Sequence, residues 1–326
     1  MFFRFHDLTI ELVSTDGRIR AQWAYLLAGW LQAESTTRPD IRLELTWAED
    51  LPERPSTPPI FVDQESRTDA PAILTVYAEA DGAALLHFHQ AGLLRVPLTA
   101  PQPGVTLVAT GVITPASLAN GRFEDVTFTG LAPMLRRHGY FLLHAFAAVR
   151  DGRAALLVGA SGSGKTTTGL NLLLNGWELL SNDVALLHLR PDGVYVLAAP
   201  DIVSIRPFTL ELLPQLSAKL AAPAAGRAQV ISAFALTDGR WASPSKATTV
   251  YFPQITDQPT RLAPLSRAIG LARLMEQSVD QWDTAVLPDH IAILQALSQQ
   301  TAVYTLFLGP RRGPTERHHY SLTIGN

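Results

Sequence analysis

The alternation of apolar and polar residues along the chain predicts strands and helices in both halves of the sequence. Residues 41–47 (IRLELTW) place apolar side chains at every second position, and residues 73–89 do so on both sides of an Asp-Gly pair that is typical of a hairpin turn. Between Gly17 and Ala33 the apolar residues recur at helical spacing instead. Residues 1–120 are therefore predicted to form a mixed α/β accessory domain.

The pattern changes after about residue 120. A helix is predicted over 127–137, followed by two strands joined at an Asp-Gly turn, a glycine-rich loop, a helix, and two strands that meet at a tip. We expect a second domain at residues 121–326. Its further predicted elements are a mobile loop at 221–227, a helix from its cap Ser266 to about Gln277, a helix at 289–300 and a strand at 302–309.

Composition narrows the class of protein. The 326 residues are 47% hydrophobic and carry a net charge of −3, which indicates folded domains and no nucleic-acid partner. The sequence has no apolar run of the roughly 18 residues that a membrane span needs, so no membrane partner is expected. With no cysteine, the chain has no disulfide, thiolate metal site or cysteine nucleophile. A cytoplasmic location is the expectation.

One stretch carries a chemical motif. Residues 156–168 read LLVGASGSGKTTT, and Gly159–Thr166 match the phosphate-loop pattern G-x-x-x-x-G-K-[ST]. An apolar strand precedes the motif, and the helix after it is predicted to end at Gly176. The alternative is a glycine-rich turn in which a lysine occurs by chance, although the chain has only three lysines, Lys165, Lys219 and Lys246.

Each position of the motif has a physical reason. Glycines let successive backbone N–H groups point into one concavity at the positive end of a helix, where phosphate binds. Lys165 supplies a compact ammonium to the β- and γ-phosphates, and Thr166 offers its hydroxyl to Mg²⁺. The motif therefore predicts a nucleotide and Mg²⁺ at this site. The candidate nucleotide-binding residues are Gly159, Ala160, Ser161, Gly162, Ser163, Gly164, Lys165, Thr166 and Thr167.

A histidine upstream is predicted to lie beside the phosphates. If Asp151 and Gly152 form a two-residue turn, the residue numbers of each cross-strand pair add up to 303. His144 then lies opposite Gly159, the first glycine of the motif. The alternative is a histidine at a strand end that only packs or bonds to the backbone.

An acidic residue downstream is the third candidate. Asp183 follows Lys165 by 18 residues, at the tip of the segment after the helix. In P-loop sheets a carboxylate near this place holds Mg²⁺ or accepts a hydroxyl proton. The alternative is an ordinary turn, because Ser-Asn-Asp sequences favour turns.

The segment from His144 to Asp183 resembles the catalytic core of HPr kinase/phosphorylase and its relatives, which share a P-loop architecture with phosphoenolpyruvate carboxykinase. The histidine 15 residues before Gly159, the helix-ending Gly176 and the acidic tip all suit the family pattern. The resemblance covers roughly 127–310 and is specific at 144–183. It implies an α/β fold: a P-loop nucleotide-binding domain of the HPr kinase/PEP carboxykinase type, preceded by a smaller mixed α/β domain.

The resemblance also implies an activity. The expected protein is an ATP-Mg²⁺-dependent kinase that transfers the γ-phosphoryl group to a hydroxyl of a protein, a peptide or a small molecule. Carried over residue by residue, Asp183, His144 and Lys165 would be catalytic, and Thr166 and Asp183 would face the metal. The homo-oligomeric state stays open.

Two departures from the family pattern qualify that activity. Asn182 stands where the family has its first aspartate, and the chain has no Glu-x-Arg-Gly-x-Gly segment, so HPr is not the expected substrate. Asn182 supports an alternative, a nucleotide-binding regulatory protein with slow or no ATP turnover. Carboxykinase-like decarboxylation is disfavoured by the shortage of lysines.

The remaining candidates are expected to have no role in chemistry. His87 and His89 share a strand face and could form half of a metal site, but no partner pattern accompanies them. The arginine pairs at 136–137 and 311–312 could contact phosphate, but we expect exposed charge on a helix or loop. The histidines at 318–319 are expected to belong to a solvated tail. Arg206 could lie near the nucleotide, although we expect this less than a structural role.

Overall fold

The computed structural model describes residues 1–32, 37–63, 73–119, 121–220, 227–278 and 280–309. The chain divides into two compact units. Unit 1 comprises Met1–Tyr140 with Asp280–Pro288, and unit 2 comprises the described residues of Phe141–Val279 and Asp289–Asn326. The domain boundary near residue 120 stays a prediction, since these contacts divide the chain at Tyr140. No helix in the described part of the chain combines the length and the apolar character needed to cross a bilayer.

Unit 1 is built on a sheet of nine described strands with two α-helices. The order across the sheet is β3-β1-β2-β4-β9-β8-β7-β6-β5, in which β2, β4 and β9 are parallel neighbours. The elements are β1 Phe2–Phe5, β2 Leu8–Val13, α1 Gly17–Leu26, β3 Leu31–Gln32, β4 Ile41–Trp47, β5 Phe61–Val62, β6 Leu74–Ala78, β7 Ala84–Phe88, β8 Gly92–Val96, β9 Leu107–Ile113, a 3₁₀ turn Pro115–Leu118 and α2 Arg122–Arg137.

The core of unit 1 lies between the sheet and its helices. Trp23 of α1 is fully buried, donates from its indole nitrogen to Thr127 of α2 at 3.3 Å and meets the ring of Phe123 edge-on. Gly130 lets α2 approach the sheet, because a Cβ there would lie 2.5 Å from a methyl of Leu94 on β8. The two helices are thus packed against each other and against the sheet.

The local pattern predicted most of unit 1 and misplaced two helix ends. The strand at 41–47 is confirmed as β4, and the hairpin at 73–89 as β6 and β7. The helix predicted over Gly17–Ala33 is wrong in its second half. It ends at Leu26, because the chain turns at Gly29, where φ is +81°, and enters β3. The helix predicted at 127–137 begins earlier, at Arg122.

Unit 2 is a mixed α/β unit. Its main sheet runs β11-β10-β13-β14-β17-β19-β18, with β12 on β10 and a further pairing of β11 with β17, while β15 and β16 pair separately. The elements are β10 Tyr140–Arg150, β11 Arg153–Val158, α3 Lys165–Leu174, β12 Glu178–Ser181, β13 Val184–Arg190, β14 Gly193–Leu197, β15 Ile202–Ile205, α4 Pro207–Leu212, a 3₁₀ helix Pro214–Lys219, β16 Gln229–Ser232, α5 Ala233–Leu236, β17 Ser245–Ile255, β18 Arg261–Pro264, α6 Arg267–Glu276, α7 Leu287–Gln300 and β19 Ala302–Leu308.

Three neighbouring strands of the main sheet, β11, β17 and β19, run parallel. β17 is parallel to β11 on one side and to β19 on the other. The carboxyl ends of parallel strands meet at one edge, which is where α/β sheets bind ligands. The glycine-rich loop follows β11 at this edge. The buried core beneath it includes Phe146, Leu157, Leu170, Tyr251 and Leu306.

Several downstream predictions are confirmed. Ser266 caps α6, accepting a hydrogen bond from the amide of Ile269 at 3.4 Å, and the helix and strand predicted at 289–300 and 302–309 are α7 and β19. Most of the loop predicted at 221–227, the arginines at 311–312 and the histidines at 318–319 lie outside the described residues.

Candidate functional site

The β10–β11 hairpin sets the register of the site. Asp151 and Gly152 both have positive φ, +51° and +70°, as a two-residue hairpin turn requires. Arg150 pairs with Arg153, and the ladder continues to Ala145 opposite Val158, so that every pair sums to 303. The predicted register is confirmed. It carries His144 to the level of the first glycine of the loop.

The glycine-rich loop enters α3 through left-handed backbone. Gly162 and Gly164 have φ of +84° and +99°, conformations that residues with a Cβ rarely adopt. Gly164 is the N-cap of α3, and the first intrahelical bond is donated by Thr168 to its carbonyl. The amides before Thr168 have no partner within the helix and form its positive end.

Two further glycines have separate roles in α3: one allows its approach to the sheet, and the other ends the helix. A Cβ at Gly169 would overlap the ring of Phe146 on β10, so only glycine allows this approach. At the far end Gly176, with φ of +84°, donates to Leu173, and Trp177 donates to Leu172. This pair of bonds is a Schellman ending, and it confirms Gly176 as the predicted cap.

Lys165 is buried and hydrogen-bonded on several sides. Its ammonium donates to the carbonyl of Gly159 and, at 3.1 Å, to that of Ala160, and its Nζ lies 3.0 Å from Nε2 of His144. Burial lowers the pKa of Lys165, and the charge of Asp183 opposes that shift. The ammonium is thus held against the glycine-rich loop by two carbonyls of that loop.

His144 connects the lysine to the acidic tip. An ammonium only donates hydrogen bonds, so Nε2 of His144 must be the acceptor, which makes this imidazole the neutral Nδ1–H tautomer. Nδ1 lies 3.5 Å from Oδ1 of Asp183. Burial lowers the pKa of His144; Asp183 raises it and Lys165 lowers it further. The three residues form a row Lys165–His144–Asp183 along one side of the loop.

A buried carboxylate holds the tip that carries Asp183. Oδ2 of Asp201 accepts from the backbone amides of Asn182 at 2.6 Å and Asp183 at 2.9 Å, and Oδ1 accepts from Ile202 at 2.8 Å. On the other side, the carbonyl of Asp183 accepts from the amide of Ala145 on β10. The backbone of the tip is fixed from both sides, while the side chain of Asp183 is 55% exposed.

Asp201 was not predicted from the sequence. The available signal was a single carboxylate between a proline and the strand that follows, in the run AAPDIVSI. That residue is only 3% exposed, and a carboxylate is rarely buried without hydrogen-bond donors around it. The sequence does not indicate which donors these are, since they come from a tip 18 and 19 residues away.

Asn182 contributes to structure at the tip. Its side chain is buried, its amide nitrogen donates to the carbonyl of Ile202 at 3.3 Å, and its Oδ1 has no hydrogen-bond partner among the described residues. Asp183 is thus the only one of the two tip residues that offers a carboxylate.

The loop is chemically suited to a phosphate and a metal bound to it. Oγ of Ser163 is buried in the loop without a partner among the described residues. No three His, Asp or Glu residues in the described part of the chain cluster as an all-protein metal site. Mg²⁺ commonly takes one or two protein ligands and completes its shell with phosphate and water, so Thr166 and Asp183 as its ligands stay a prediction. The hydroxyl of Thr167 is 2.8 Å from that of Thr209 on α4.

The arginines at 136–137 were expected to be exposed, and that expectation is wrong. Both guanidinium groups lie in unit 1 with side chains 2% and 3% exposed, and both pair with the buried Asp283, at 3.0 Å and 2.9 Å. Arg136 also pairs with Asp280. Helix periodicity turns this end of α2 inward, where charge must be paired.

The remaining candidates are His87, His89 and Arg206. His87 is buried on β7 opposite Thr75, and burial lowers its pKa; it belongs to no metal cluster among the described residues, and neither does His89. Arg206 is the exposed N-cap of α4. A role for Arg206 near the nucleotide stays a prediction.

Comparison with known proteins adds little. No protein-family model matches the chain, and no curated protein is similar to it in sequence. Among solved structures it is similar to the HPr(Ser) kinase/phosphatase from Coxiella burnetii, at 12% identity and a TM-score of 0.26, over 53% of this chain and 82% of that chain. Likeness at this level does not carry the function of that protein to this chain.

Proposed function

We propose that the protein is an ATP-Mg²⁺-dependent kinase that transfers the γ-phosphoryl group to a hydroxyl on a protein, a peptide or a small molecule. The observation that carries the proposal is the row Lys165–His144–Asp183 beside a glycine-rich loop at the start of α3. Helix end, ammonium and exposed carboxylate are the parts that phosphoryl transfer needs. A cytoplasmic location, where ATP is abundant, is part of the same proposal.

The loop and Lys165 would bind the triphosphate. The amides at the start of α3 and the ammonium neutralise phosphate oxygens, once Lys165 exchanges the carbonyls of Gly159 and Ala160 for the ligand. Thr166 would hold Mg²⁺, and Asp183 would face the metal without binding it, which leaves the carboxylate able to accept a proton. When bound, Mg²⁺ supplies further positive charge to the phosphoryl oxygens. The P-loop nature of this domain is part of the proposal.

Asp183 would receive the proton of the acceptor. The acceptor oxygen forms a bond to the γ-phosphorus, the bond from that phosphorus to the bridging oxygen of ADP breaks, and the hydroxyl proton passes to the carboxylate. Asp183 is exposed enough to meet an acceptor, and the Nδ1–H of His144 faces its Oδ1 and orients it. Asp201 acts through the backbone and keeps the tip in place.

A second candidate function is a nucleotide-binding regulator with slow or no turnover. Two observations favour it. The tip offers one carboxylate, since Asn182 is buried and bonded to Ile202, and the ammonium of Lys165 is already satisfied by the loop. In such a protein, occupancy of the loop by nucleotide would itself be the signal.

An assay of the purified full-length protein distinguishes the kinase from the regulator. The protein is incubated with ATP, Mg²⁺ and a panel of hydroxyl-bearing peptides and metabolites. A kinase releases ADP in proportion to a phosphorylated acceptor. Asp183→Asn is expected to lower kcat about 100-fold or more while ATP affinity changes about twofold or less. Lys165→Met is expected to abolish ATP binding. The control Lys219→Met removes a surface pair with Asp238 and is expected to change neither ATP affinity nor kcat. Tight ATP binding with no transfer to any acceptor would favour the regulator.

A further inference from the structure

An exposed apolar surface adjoins the glycine-rich loop on the side away from Asp183. Ile255 and Leu308 are register partners at the carboxyl ends of the parallel strands β17 and β19. Ile255 is 66% exposed, the highest value among the large apolar residues that the structure describes as exposed, whereas Leu308 is partly buried and packs against the core. We call Ile255 and Leu308 the apolar shelf.

The shelf is in contact range of the loop. A Cβ placed on Gly164 would lie 2.7 Å from Cδ1 of Leu308 and 4.0 Å from Cγ1 of Ile255. Leu157 of β11 pairs with Tyr251, and β17 continues to Ile255, so the end of β17 stands beside the loop that follows β11. Gly164 therefore connects the start of α3 directly to the shelf.

The two sides of the loop differ in chemistry. β10, which carries His144 and contacts Asp183, pairs with one edge of β11, and β17 pairs with the other edge. A nucleoside triphosphate has the same asymmetry, because its γ end is anionic and its base has apolar faces. The γ-phosphate would point to Asp183 and the base to the shelf.

On this geometry, and resting on the proposed function, we infer that Ile255 and Leu308 bind the purine base of the nucleotide by covering one of its faces. Two backbone donors at the strand ends are already engaged: the amide of Thr256 donates to Leu308 at 2.9 Å, and that of Gly309 to the hydroxyl of Thr260 at 3.0 Å. These two amides are therefore not available to the edge of the base, so we expect the shelf to contact the face of the purine, which adenine and guanine share.

Calorimetric titration of the full chain with ATP, GTP and inorganic tripolyphosphate, each with Mg²⁺, separates base from phosphate binding. Ile255→Ser is expected to weaken ATP and GTP about tenfold, by loss of apolar contact, and to leave tripolyphosphate within about twofold. Ile255→Phe, which keeps an apolar face, is expected to retain nucleotide affinity. The control Leu189→Ser removes a similarly exposed leucine from β13 and should change none of the three.

The outcomes identify which proposal fails. If wild-type protein binds tripolyphosphate as tightly as ATP, or if Ile255→Ser weakens both to the same extent, the shelf does not bind the base, although the loop still binds phosphate. If ATP binds tenfold more tightly than GTP, purine-class recognition by the shelf is overturned. If neither tripolyphosphate nor a nucleotide binds the wild-type protein, the proposed function fails and this inference fails with it.

Discussion

Nζ of Lys165 and Nε2 of His144 lie 3.0 Å apart, although the residues are 21 positions apart in sequence. The bond makes the neutral imidazole an acceptor for the ammonium and directs its Nδ1–H toward Asp183. A second proton, added on Nε2, would make the ring an imidazolium and place two positive groups side by side. The protonation state of one histidine is thereby linked to the position of the lysine in the glycine-rich loop.

The first prediction concerns pH. Burial lowers the pKa of His144 in the folded chain, so the unfolded chain binds more protons as the pH falls through 6.5, the ordinary value. The free energy of unfolding should therefore decrease as the pH falls below about 6.5. Urea unfolding at pH 7.5 and pH 5.5 measures the effect. His144→Asn should reduce the difference in the free energy of unfolding between the two pH values. His138 and His87, whose pKa values are also lowered by burial, should account for the remaining difference.

The second prediction concerns Asp201. Asp201→Ala leaves the amides of Asn182, Asp183 and Ile202 without their buried acceptor, and the free energy of unfolding should fall by about 2–4 kcal/mol. Hydrogen exchange of the tip amides should accelerate in Asp201→Asn, which keeps the shape and loses the charge. Asp289→Asn, at an exposed carboxylate of α7, is the control. Unchanged protection at the tip would contradict a positioning role for Asp201.

The third prediction concerns the fit of α3 against β10. Gly169→Ala places a methyl group into the ring of Phe146, and we expect a loss of about 1–3 kcal/mol in the free energy of unfolding. The double variant Gly169→Ala/Phe146→Leu should lose less than the sum of the single variants. Gly17→Ala is the control, because a Cβ there meets nothing within 4 Å. Strict additivity in the double variant would rule out the proposed close contact.

The fourth prediction concerns the charge cluster of unit 1. Burial would raise the pKa of Asp283, but hydrogen bonds and charge from Arg137 and Arg136 lower it overall. Its contribution to stability should thus be complete above the ordinary pKa of 3.8 and be lost as pH falls through the lower folded value. Asp283→Asn should cost about 3–5 kcal/mol, because two buried guanidinium groups lose the buried carboxylate that they share.

Asp280→Asn provides the comparison for that cluster. Its carboxylate also pairs with Arg136 but is 36% exposed, so water can replace it, and the loss should be clearly smaller than for Asp283→Asn. Thermal or urea unfolding of both variants decides the point. Equal losses would mean that burial does not set the strength of these pairs.

The sequence alone determined the parts of the site that depend on neighbours along the chain. The two-residue turn at Asp151 requires pairs that sum to 303, and that register leads from the turn to His144. Gly176 ends α3 because a helix ends readily at a residue that tolerates positive φ. Such features follow from local hydrogen bonding and backbone sterics, which a short stretch of sequence already specifies.

Only the tertiary structure decided which distant residues meet. The contact of Asp201 with the tip, the burial of Arg136 and Arg137 around Asp283, and the place of Ile255 beside Gly164 join segments separated by about 20 to 150 residues. Spacing carries no information on these pairs, because they depend on the order of strands in the sheet and on which side of a helix faces the core. The phosphate-loop motif could be read from the sequence, whereas the surroundings that would give it a substrate and an orientation came from packing.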